Sequence, residues 1–261
     1  MMHHLKYCND SFEKYFSQNI NVPFKYSYIY LDSKKFAIGS TCPDFKEINR
    51  HREFVSKIKK TGVIVTDQYL GIRDNSLISK NCIIFSSNSN NDNLKAKIIH
   101  IPLLNNKQVE IETKPVKNRK YFYSFVGWNN CKLRDNLKEI RQKNSLISYE
   151  RINNNLFNEV MADSIFSLCP RGIEASSYRI CESLRNESIP VYISDIFVLP
   201  EDFEKYGILV QSKDFDKIPE ILSSYSVSEI ENMIEIGKVY YKKIFTYEGL
   251  GNWIVEKLNN M

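Results

Sequence analysis

The sequence lacks the features that mark membrane, secreted and zinc-stabilised proteins. No apolar run reaches about 18 residues, the length that a membrane-spanning helix needs. The amino-terminal stretch MMHHLKYCNDSFEKYF has no apolar core of the kind found in signal peptides. The six cysteines form no CxxC pair and no Cys/His zinc spacing, and several fall in apolar segments, which favours a reducing compartment. We therefore expect a soluble, cytoplasmic protein with no membrane span.

Signature motifs of several enzyme classes are also absent. The chain has no G-x-S-x-G, no P-loop and no G-x-G-x-x-G, so hydrolase, NTPase and dinucleotide-binding functions have no support. Its single Asp-x-Asp triplet, Asp214-Phe215-Asp216, is better explained as a cap of the following helix than as a metal site. We therefore expect no metal and no cofactor to be essential.

The charge balance is mildly basic, with a net charge of +5 and a pI near 8.7. This balance suits an anionic substrate. A nucleic-acid partner is not expected, because no long Arg/Lys stripe interleaved with aromatic residues occurs and the basic run at 57–60 is typical of a solvated helix face. Hydrophobic residues make up 43% of the chain, which is enough for the core of a globular protein.

Strand-like and helix-like patterns alternate along the chain, which predicts an α/β fold. The first α/β domain is predicted over residues 1–110. The stretch 105–120 has few large apolar residues and is the predicted linker. The second domain is predicted over 118–245, and it is followed by a helix over 246–261 that is long enough to cross back to the first domain.

Three local predictions concern the ends of helices. Residues 46–60 are predicted to form a helix that is ended by Gly62, with an inner face made of Ile48, Phe54, Val55 and Ile58. Residues 133–143 are predicted to form another helix. Pro190 is predicted to close the helix that precedes it.

The chain is organised around residues 165–195, IFSLCPRGIEASSYRICESLRNESIPVYISD. An apolar run of strand length is followed by a break at Pro170-Arg171-Gly172. Ser176 and Ser177 can then cap a helix, and a second apolar strand follows. Such a βαβ unit places the loop and the helix start at the carboxyl edge of a parallel sheet, where open α/β sheets bind their ligands.

The groups in this loop suit a nucleotide sugar. Arg171 and Arg179 bracket a helix start, which itself favours anions, so a diphosphate would meet charges and hydrogen-bond donors together. Glu182 follows Arg179 on the same helix face, and its carboxylate can accept hydrogen bonds from both ribose hydroxyls. The alternative is a doubly wound domain of another kind, in which Arg179 and Glu182 simply pair with each other.

Several sequence blocks resemble the exostosin-like glycosyltransferases. The blocks are YFYSFVGW at 121–128 followed by Arg134, FSLCPRG at 166–172, SYRICESL at 177–184, IPV at 189–191 and, more weakly, HIPLL at 100–104. The resemblance implies a GT-B architecture, in which two Rossmann-like α/β domains face a cleft, with the donor on the second domain and the acceptor on the first. It implies donor-binding roles for Gly127, Arg134, Arg171, Gly172, Ser176, Ser177, Arg179 and Glu182.

The catalytic base is less well marked, because the Gly-x-Asp-His run of the family's first domain is not visible in this sequence. Asp67 ends a predicted strand on the cleft side and is the proposed general base, with Asp44 and Asp74 as alternatives. A turn or capping role is open for all three residues.

These patterns and the resemblance predict an inverting, metal-independent glycosyltransferase. It would move xylose, another pentose or a hexose from a UDP-sugar to a hydroxyl of a glycan acceptor. One alternative is a non-catalytic nucleotide- or glycan-binding module with the same fold. Another is a nucleic-acid-binding protein, whose affinity would fall steeply with salt.

Overall fold

The computed structural model describes residues 12–30, 45–66, 75–87, 94–105, 112–129, 131–172, 175–196 and 199–261. The chain divides into two compact units: unit 1 comprises Met1–Asn106 and Lys243–Met261, and unit 2 comprises Lys107–Lys242. Each unit contains a parallel sheet with accompanying helices, so the predicted α/β class is confirmed. Within the described ranges, no helix has both the length and the hydropathy needed to cross a bilayer.

The elements follow one another as an alternation of strands and helices. The strands are β1 (Tyr26–Tyr28), β2 (Thr61–Thr66), β3 (Cys82–Ser86), β4 (Lys97–His100), β5 (Tyr121–Val126), β6 (Ser145–Ser148), β7 (Ser164–Pro170), β8 (Ile189–Ile193) and β9 (Ile208–Val210). The α-helices are α1 (Phe12–Asn19), α2 (Phe45–Ser56), α3 (Lys132–Asp135), α4 (Asn154–Ala162), α5 (Tyr178–Arg185), α6 (Ile218–Ser223), α7 (Val227–Ile244) and α8 (Tyr247–Asn259). Short 3₁₀ segments occupy Asn75–Leu77, Val116–Asn118, Asn136–Ile140, Phe203–Lys205 and Ser212–Lys217.

The sheet of unit 1 has the order β1-β2-β3-β4, and each neighbouring pair is parallel. Strand β3 is buried along its whole length, and β2 is buried from its second residue onward. Burial on both faces explains why these strands read as continuous apolar runs rather than as alternating patterns. Ile64 and Ile84 from the two central strands pack with Val55 of α2 in the core.

Helix α8 packs against the amino-terminal part of unit 1. The hydroxyl of Tyr26 donates a hydrogen bond to the carbonyl of Leu258 at 3.0 Å. The rings of Phe85 and Trp253 meet edge to face, with centroids 6.3 Å apart. Residues 243–261 therefore complete the core of the unit that begins at the amino-terminal end of the chain.

The sheet of unit 2 has the order β6-β5-β7-β8-β9, and all of its pairs are parallel. Helix α5 connects β7 to β8 and buries an apolar face that consists of Ile180, Cys181 and Leu184. The βαβ unit predicted for residues 165–195 is therefore confirmed.

The predicted inward residues Ile48, Val55 and Ile58 pack in the core of unit 1, whereas the prediction is wrong for Phe54 of α2. Phe54 is 52% exposed, whereas Val55 is buried and His51 accompanies it one helical turn earlier. The His51 ring nitrogen Nε2 lies 2.9 Å from the carbonyl oxygen of Leu77, which fixes that side of the helix inward. Phe54 is offset from Val55 by a single residue, or about 100° around the helix, so it points away from the core.

Gly62 does not end a helix as predicted; α2 already ends at Ser56, and Gly62 lies inside β2. A Cβ atom on Gly62 would come within 2.2 Å of Ser79 Oγ and within 2.6 Å of Ile29 Cδ1. The glycine is therefore explained by close packing on β2 rather than by a helix terminus.

Two other predicted helix ends are wrong. The helix predicted over 133–143 is only the single turn α3, and it continues as the 3₁₀ segment Asn136–Ile140. Leu137 and Ile140 are both buried, and their spacing of three residues places them on one face of a 3₁₀ turn. Pro190 does not close a helix: it lies in β8, where it pairs with Ser167 one residue before the ladder with β9 begins.

Candidate functional site

The strand order of unit 2 creates a crevice beside β5. The chain runs from β5 to β6 on one side of β5, and then to β7 on the other side, so the direction of winding reverses between β5 and β7. The paired residues of β5 and β7 end at Ser124 and Ser167, whereas β5 pairs with β6 as far as Val126 and β7 pairs with β8 as far as Pro170. The carboxyl ends of β5 and β7 thus extend beyond their shared ladder. Open α/β sheets bind ligands at such a switch point.

The guanidinium of Arg179 occupies this crevice. Arg179 lies in the first turn of α5, and its Nη2 atom would be only 2.3 Å from a Cβ atom on Gly127. Its Cζ atom lies 5.2 Å from the ring centroid of Phe125 and 4.7 Å from that of Phe157. The absence of a side chain at Gly127 and the two flanking rings therefore fix the position of the charge.

Arg134 bridges the ends of the same two strands. Its Nη1 donates to the carbonyl of Trp128 at 2.7 Å and its Nη2 to the carbonyl of Pro170 at 3.4 Å. The residue is only 9% exposed. Burial lowers the pKa of its guanidinium, and the nearby charge of Arg179 lowers it further. The two arginines are therefore close enough to repel each other, and an anion between them would relieve that repulsion.

Arg171 extends the cluster toward β8. Its backbone N–H donates to the carbonyl of Ile193 at 3.0 Å, and its Nη1 donates to the carbonyl of Gly172 at 3.1 Å. Gly172 also faces Arg134, whose Nη2 would lie 3.8 Å from a Cβ atom at that position. The loop after β7 is thus held to β8, and its glycine lies near the neighbouring arginine.

The positive charge of this cluster has no negative counterpart in the part of the chain that the structure describes. There, Arg134, Arg171 and Arg179 form no ion pair and no hydrogen bond with a carboxylate. The Nε atoms of Arg134 and Arg171 are buried without a hydrogen-bond partner. Buried polar groups are normally hydrogen-bonded and buried charges are normally paired. The arrangement is therefore suited to a ligand that carries more than one negative charge.

The remaining predicted donor-site residues lie around the start of α5. Ser177 is buried at the N-cap position of α5, but its side chain makes no capping hydrogen bond, so the predicted cap is wrong for this residue. Ser176 precedes it and is half-buried. The hydroxyl of Tyr192 holds the loop by donating to the carbonyl of Ala175, and the carbonyl oxygen of Ile196 lies 3.1 Å from the same hydroxyl oxygen.

Glu182 is half-buried one turn beyond Arg179. Both side chains act on the thiol of Cys169: burial raises its pKa to about 12, Arg179 opposes the rise and Glu182 adds to it. The predicted pairing of Arg179 with Glu182, given as the alternative to ligand binding, does not occur, because Arg179 has no ion pair with any described carboxylate. The Arg179 charge thus remains available to a ligand.

The Asp-x-Asp triplet is not part of this cluster, and the predicted general bases are not among the described residues. Asp67, Asp44 and Asp74 lie outside the described residues. Asp214 forms an ion pair with Lys217 at 2.8 Å. In the described ranges, no group of three His, Cys, Asp or Glu side chains could hold a metal ion.

Sequence reasoning missed the groups that position the arginines. Phe157 of α4 and the carbonyls of Trp128 and Pro170 all contact arginines of the cluster. The Gly127-Trp128 pair directly after β5 could have indicated that the carbonyl of Trp128 lies near the site. Phe157 had no such signal, because its contact with Arg179 depends on how α4 and α5 pack together.

Comparison with known proteins identifies the family. Residues 54–225, which are more than half of the chain, match the Exostosin GT47 domain. The chain belongs to the exostosin GT47 family. The resemblance predicted from the sequence blocks is therefore confirmed, and the matched segment of this exostosin-family chain includes every arginine of the cluster.

Curated relatives agree over a shorter segment. An Exostosin-1 homolog from Caenorhabditis elegans is 36% identical over 89 residues, which is 33% of this chain and 23% of that protein. A probable glycosyltransferase from Arabidopsis thaliana is 31% identical over 105 residues, which is 38% of this chain and 22% of that protein. The exostosin-family chain thus matches less than a quarter of either relative.

Among solved structures, an α1,3-fucosyltransferase aligns with 80% of this exostosin-family chain and 75% of its own, with a TM-score of 0.43 and 16% identity. A DNA-modifying β-glucosyltransferase aligns with 84% of this chain and 79% of its own, with a TM-score of 0.40 and 13% identity.

Proposed function

We propose that this exostosin-family chain is an inverting, metal-independent glycosyltransferase that moves a sugar from a UDP-sugar to a hydroxyl of a glycan. The transferred sugar is xylose, another pentose or a hexose. The observation that carries the proposal is the cluster of Arg134, Arg171 and Arg179, which has no carboxylate partner in the described chain and lies at the switch point of a parallel sheet.

A nucleoside diphosphate matches the groups at this edge of the sheet. Its two phosphates carry enough negative charge to pair with Arg134 and Arg179, which otherwise repel each other. The start of α5 adds backbone N–H donors and a favourable dipole. Glu182 lies one turn further along α5, where its carboxylate would accept hydrogen bonds from the ribose hydroxyls.

The arginines would also stabilise the leaving group during transfer. The acceptor hydroxyl oxygen attacks the anomeric carbon from the face opposite the diphosphate, and a bond from that oxygen to the anomeric carbon forms. The bond from the anomeric carbon to the diphosphate oxygen breaks, and its electron pair leaves with UDP. Fixed guanidinium groups stabilise that charge electrostatically, the task that a metal performs elsewhere. A general base, for which we propose Asp67, takes the proton of the hydroxyl.

Calorimetric titration with UDP and with pyrophosphate tests the binding site. Arg179→Ala should weaken both ligands by at least about tenfold, because one charge-assisted contact contributes roughly 1.5–3 kcal/mol. Lys117→Ala is the matched control, since it removes one exposed positive charge from the 3₁₀ segment just before β5, at the opposite edge of the same sheet. Equal affinities in Arg179→Ala and the wild type would remove Arg179 from the site.

Release of UDP from UDP-sugars in the presence of chelator tests the chemistry. We expect slow UDP release by the wild-type protein, with or without chelator, and a large loss of release in Asp67→Asn. A protein that binds UDP but never releases it from any UDP-sugar, with any glycan acceptor, would be the non-catalytic module.

A further inference from the structure

Exposed apolar side chains surround the carboxyl edge of the sheet in unit 2. Each follows the end of a different strand, β5 to β8, and the four strands are neighbours in the sheet. They are Trp128, Leu156, Tyr178 and Ile196, with exposures of 59%, 43%, 49% and 46%. Single exposed apolar residues are normal on a protein surface. Here, however, four of them lie at the same edge as a cationic cluster. Such a combination is expected at a site for a ligand that has both charged and apolar parts.

Trp128 has the closest connection to the arginines. It follows Gly127, whose backbone contacts Arg179, and its own carbonyl accepts a hydrogen bond from Arg134 at 2.7 Å. It is also the most exposed aromatic side chain among the described residues of unit 2. The cluster therefore fixes the backbone of Trp128, a residue that is 59% exposed.

We propose that the indole of Trp128 packs against the apolar face of the donor's sugar ring. This inference rests on the proposed function, and it makes Trp128 a residue that determines donor specificity. Pyranose and furanose rings expose C–H groups on one face, and burying these groups against a flat aromatic surface removes apolar area of both partners from water.

The order of the residues along the site places Trp128 at the sugar end of the donor rather than at its base. Glu182, the proposed ribose contact, lies on α5 beside Cys169 of β7. From there the Arg179 side chain reaches across to Gly127 at the end of β5, and Trp128 continues in that direction beside Arg134. A diphosphate laid along the arginines thus has its ribose at the Glu182 end and its sugar at the Trp128 end.

Intrinsic fluorescence can report this contact directly, because the chain has two tryptophans. Trp253 is buried in unit 1, where it packs against Phe85. In a Trp253→Phe background, Trp128 is the single emitter. We expect a UDP-sugar to change its emission more strongly than UDP or pyrophosphate does at equal saturation. An equal change with UDP would show that the sugar does not reach the indole.

Affinities provide the second measurement. A screen that includes UDP-xylose and UDP-galactose first identifies the UDP-sugar that the wild type binds most tightly. The affinities of the variants for this UDP-sugar and for UDP are then compared. Trp128→Ala should weaken UDP-sugar binding about fivefold and leave the affinities for UDP and pyrophosphate unchanged, since one aromatic contact contributes roughly 1 kcal/mol. Trp128→Phe should restore most of the lost affinity.

The other outcomes separate the inference from the function on which it rests. An equal loss for UDP and UDP-sugar in Trp128→Ala would place the indole on the base and overturn the sugar contact. No loss for either, or a wild type that binds no UDP-sugar more tightly than UDP, would also overturn it while leaving the arginine site intact. A wild type that binds neither UDP nor pyrophosphate would overturn both proposals.

Discussion

The guanidinium of Arg179 is surrounded by groups that position it without neutralising its charge. Gly127 leaves room for its Nη2 atom, and the rings of Phe125 and Phe157 flank its Cζ atom. Aromatic faces attract a cation but leave its N–H donors free for other partners. At this scale, the position of the charge depends on a glycine as much as on the arginine itself.

Gly127→Ala should therefore weaken UDP binding in the same way as loss of the Arg179 side chain. The added Cβ would lie 2.3 Å from Arg179 Nη2 and 3.1 Å from its Cζ, so the guanidinium must move away. The end of a long side chain moves at little cost, and we expect the free energy of unfolding to change by less than about 1 kcal/mol. UDP affinity should fall at least about tenfold by calorimetry, because the displaced charge no longer faces the phosphates.

Gly237→Ala is the control for this prediction. It adds the same methyl group to a glycine of α7, where the nearest atom would be Leu184 Cδ2 at 3.1 Å rather than a guanidinium. We expect UDP affinity close to that of the wild type. Equal losses in the two alanine variants would show that the effect does not depend on displacing Arg179.

Glu182→Gln should reduce discrimination between ribose and deoxyribose. An ionised carboxylate accepts hydrogen bonds from the ribose hydroxyls more strongly than an amide oxygen does. The wild type should bind UDP about tenfold or more tightly than 2′-deoxyuridine diphosphate, and the variant should narrow that ratio. If the wild type binds both nucleotides equally well, Glu182 does not contact the 2′-hydroxyl.

At the scale of elements, the site depends on where β5 and β7 separate. The ladder between β5 and β7 ends at Ser124 and Ser167. Beyond it, β5 stays paired with β6 for two more residues and β7 stays paired with β8 for three more. The side chains of Arg134 and Arg179 reach the backbone at these free ends. Two strands that are paired to their ends would leave no such space.

Local features of the fold could be predicted from the sequence, and non-local ones could not. The buried strands and α5 were predictable because apolar runs and helical spacing are properties of neighbouring residues. The one-turn helix α3, the exposure of Phe54 and the contact between Phe157 and Arg179 depend on partners far away in sequence. The arginines of the site were predicted from motifs, but their approach to one another follows from the strand order, which no local pattern contains.

Close packing on β2 leads to a prediction for unit 1. Gly62→Ala would place a Cβ within 2.6 Å of Ile29 Cδ1 and 2.2 Å of Ser79 Oγ, both in a packed interior. Overpacking of this kind costs about 1–3 kcal/mol of the free energy of unfolding, which urea denaturation can measure. Adding Ile29→Val removes Cδ1 and should recover part of that loss. A Gly62→Ala protein as stable as the wild type would contradict the packing described for β2.

For the whole molecule, buried acidic groups predict a loss of stability in alkali. Burial raises the pKa of Cys169 to about 12, of Cys82 to about 11 and of Tyr241 to about 12. An unfolded thiol titrates near its ordinary value of 9.0. Above that pH the unfolded chain releases protons that the folded chain retains. The stabilisation is therefore complete below pH 9 and is lost as the pH rises toward the folded pKa values.

Urea denaturation across the alkaline range measures this effect. The free energy of unfolding should fall steadily from pH 9 upward in the wild type. The fall should be less steep in Cys169→Ala than in the wild type, because the variant has lost one of the contributing groups. A free energy of unfolding that stays constant or increases over this range would be inconsistent with the buried thiol.

The division of the chain also sets an order of events during translation. Residues 107–242 are contiguous, whereas the unit that precedes them lacks Trp253 and Leu258 until the ribosome has passed all of unit 2. At about 5–20 residues per second, that interval is on the order of ten seconds. Throughout it, the nascent surface around Phe85 and Tyr26 is uncovered and open to chaperones. Unit 2, although second in the sequence, is thus the first that is able to fold.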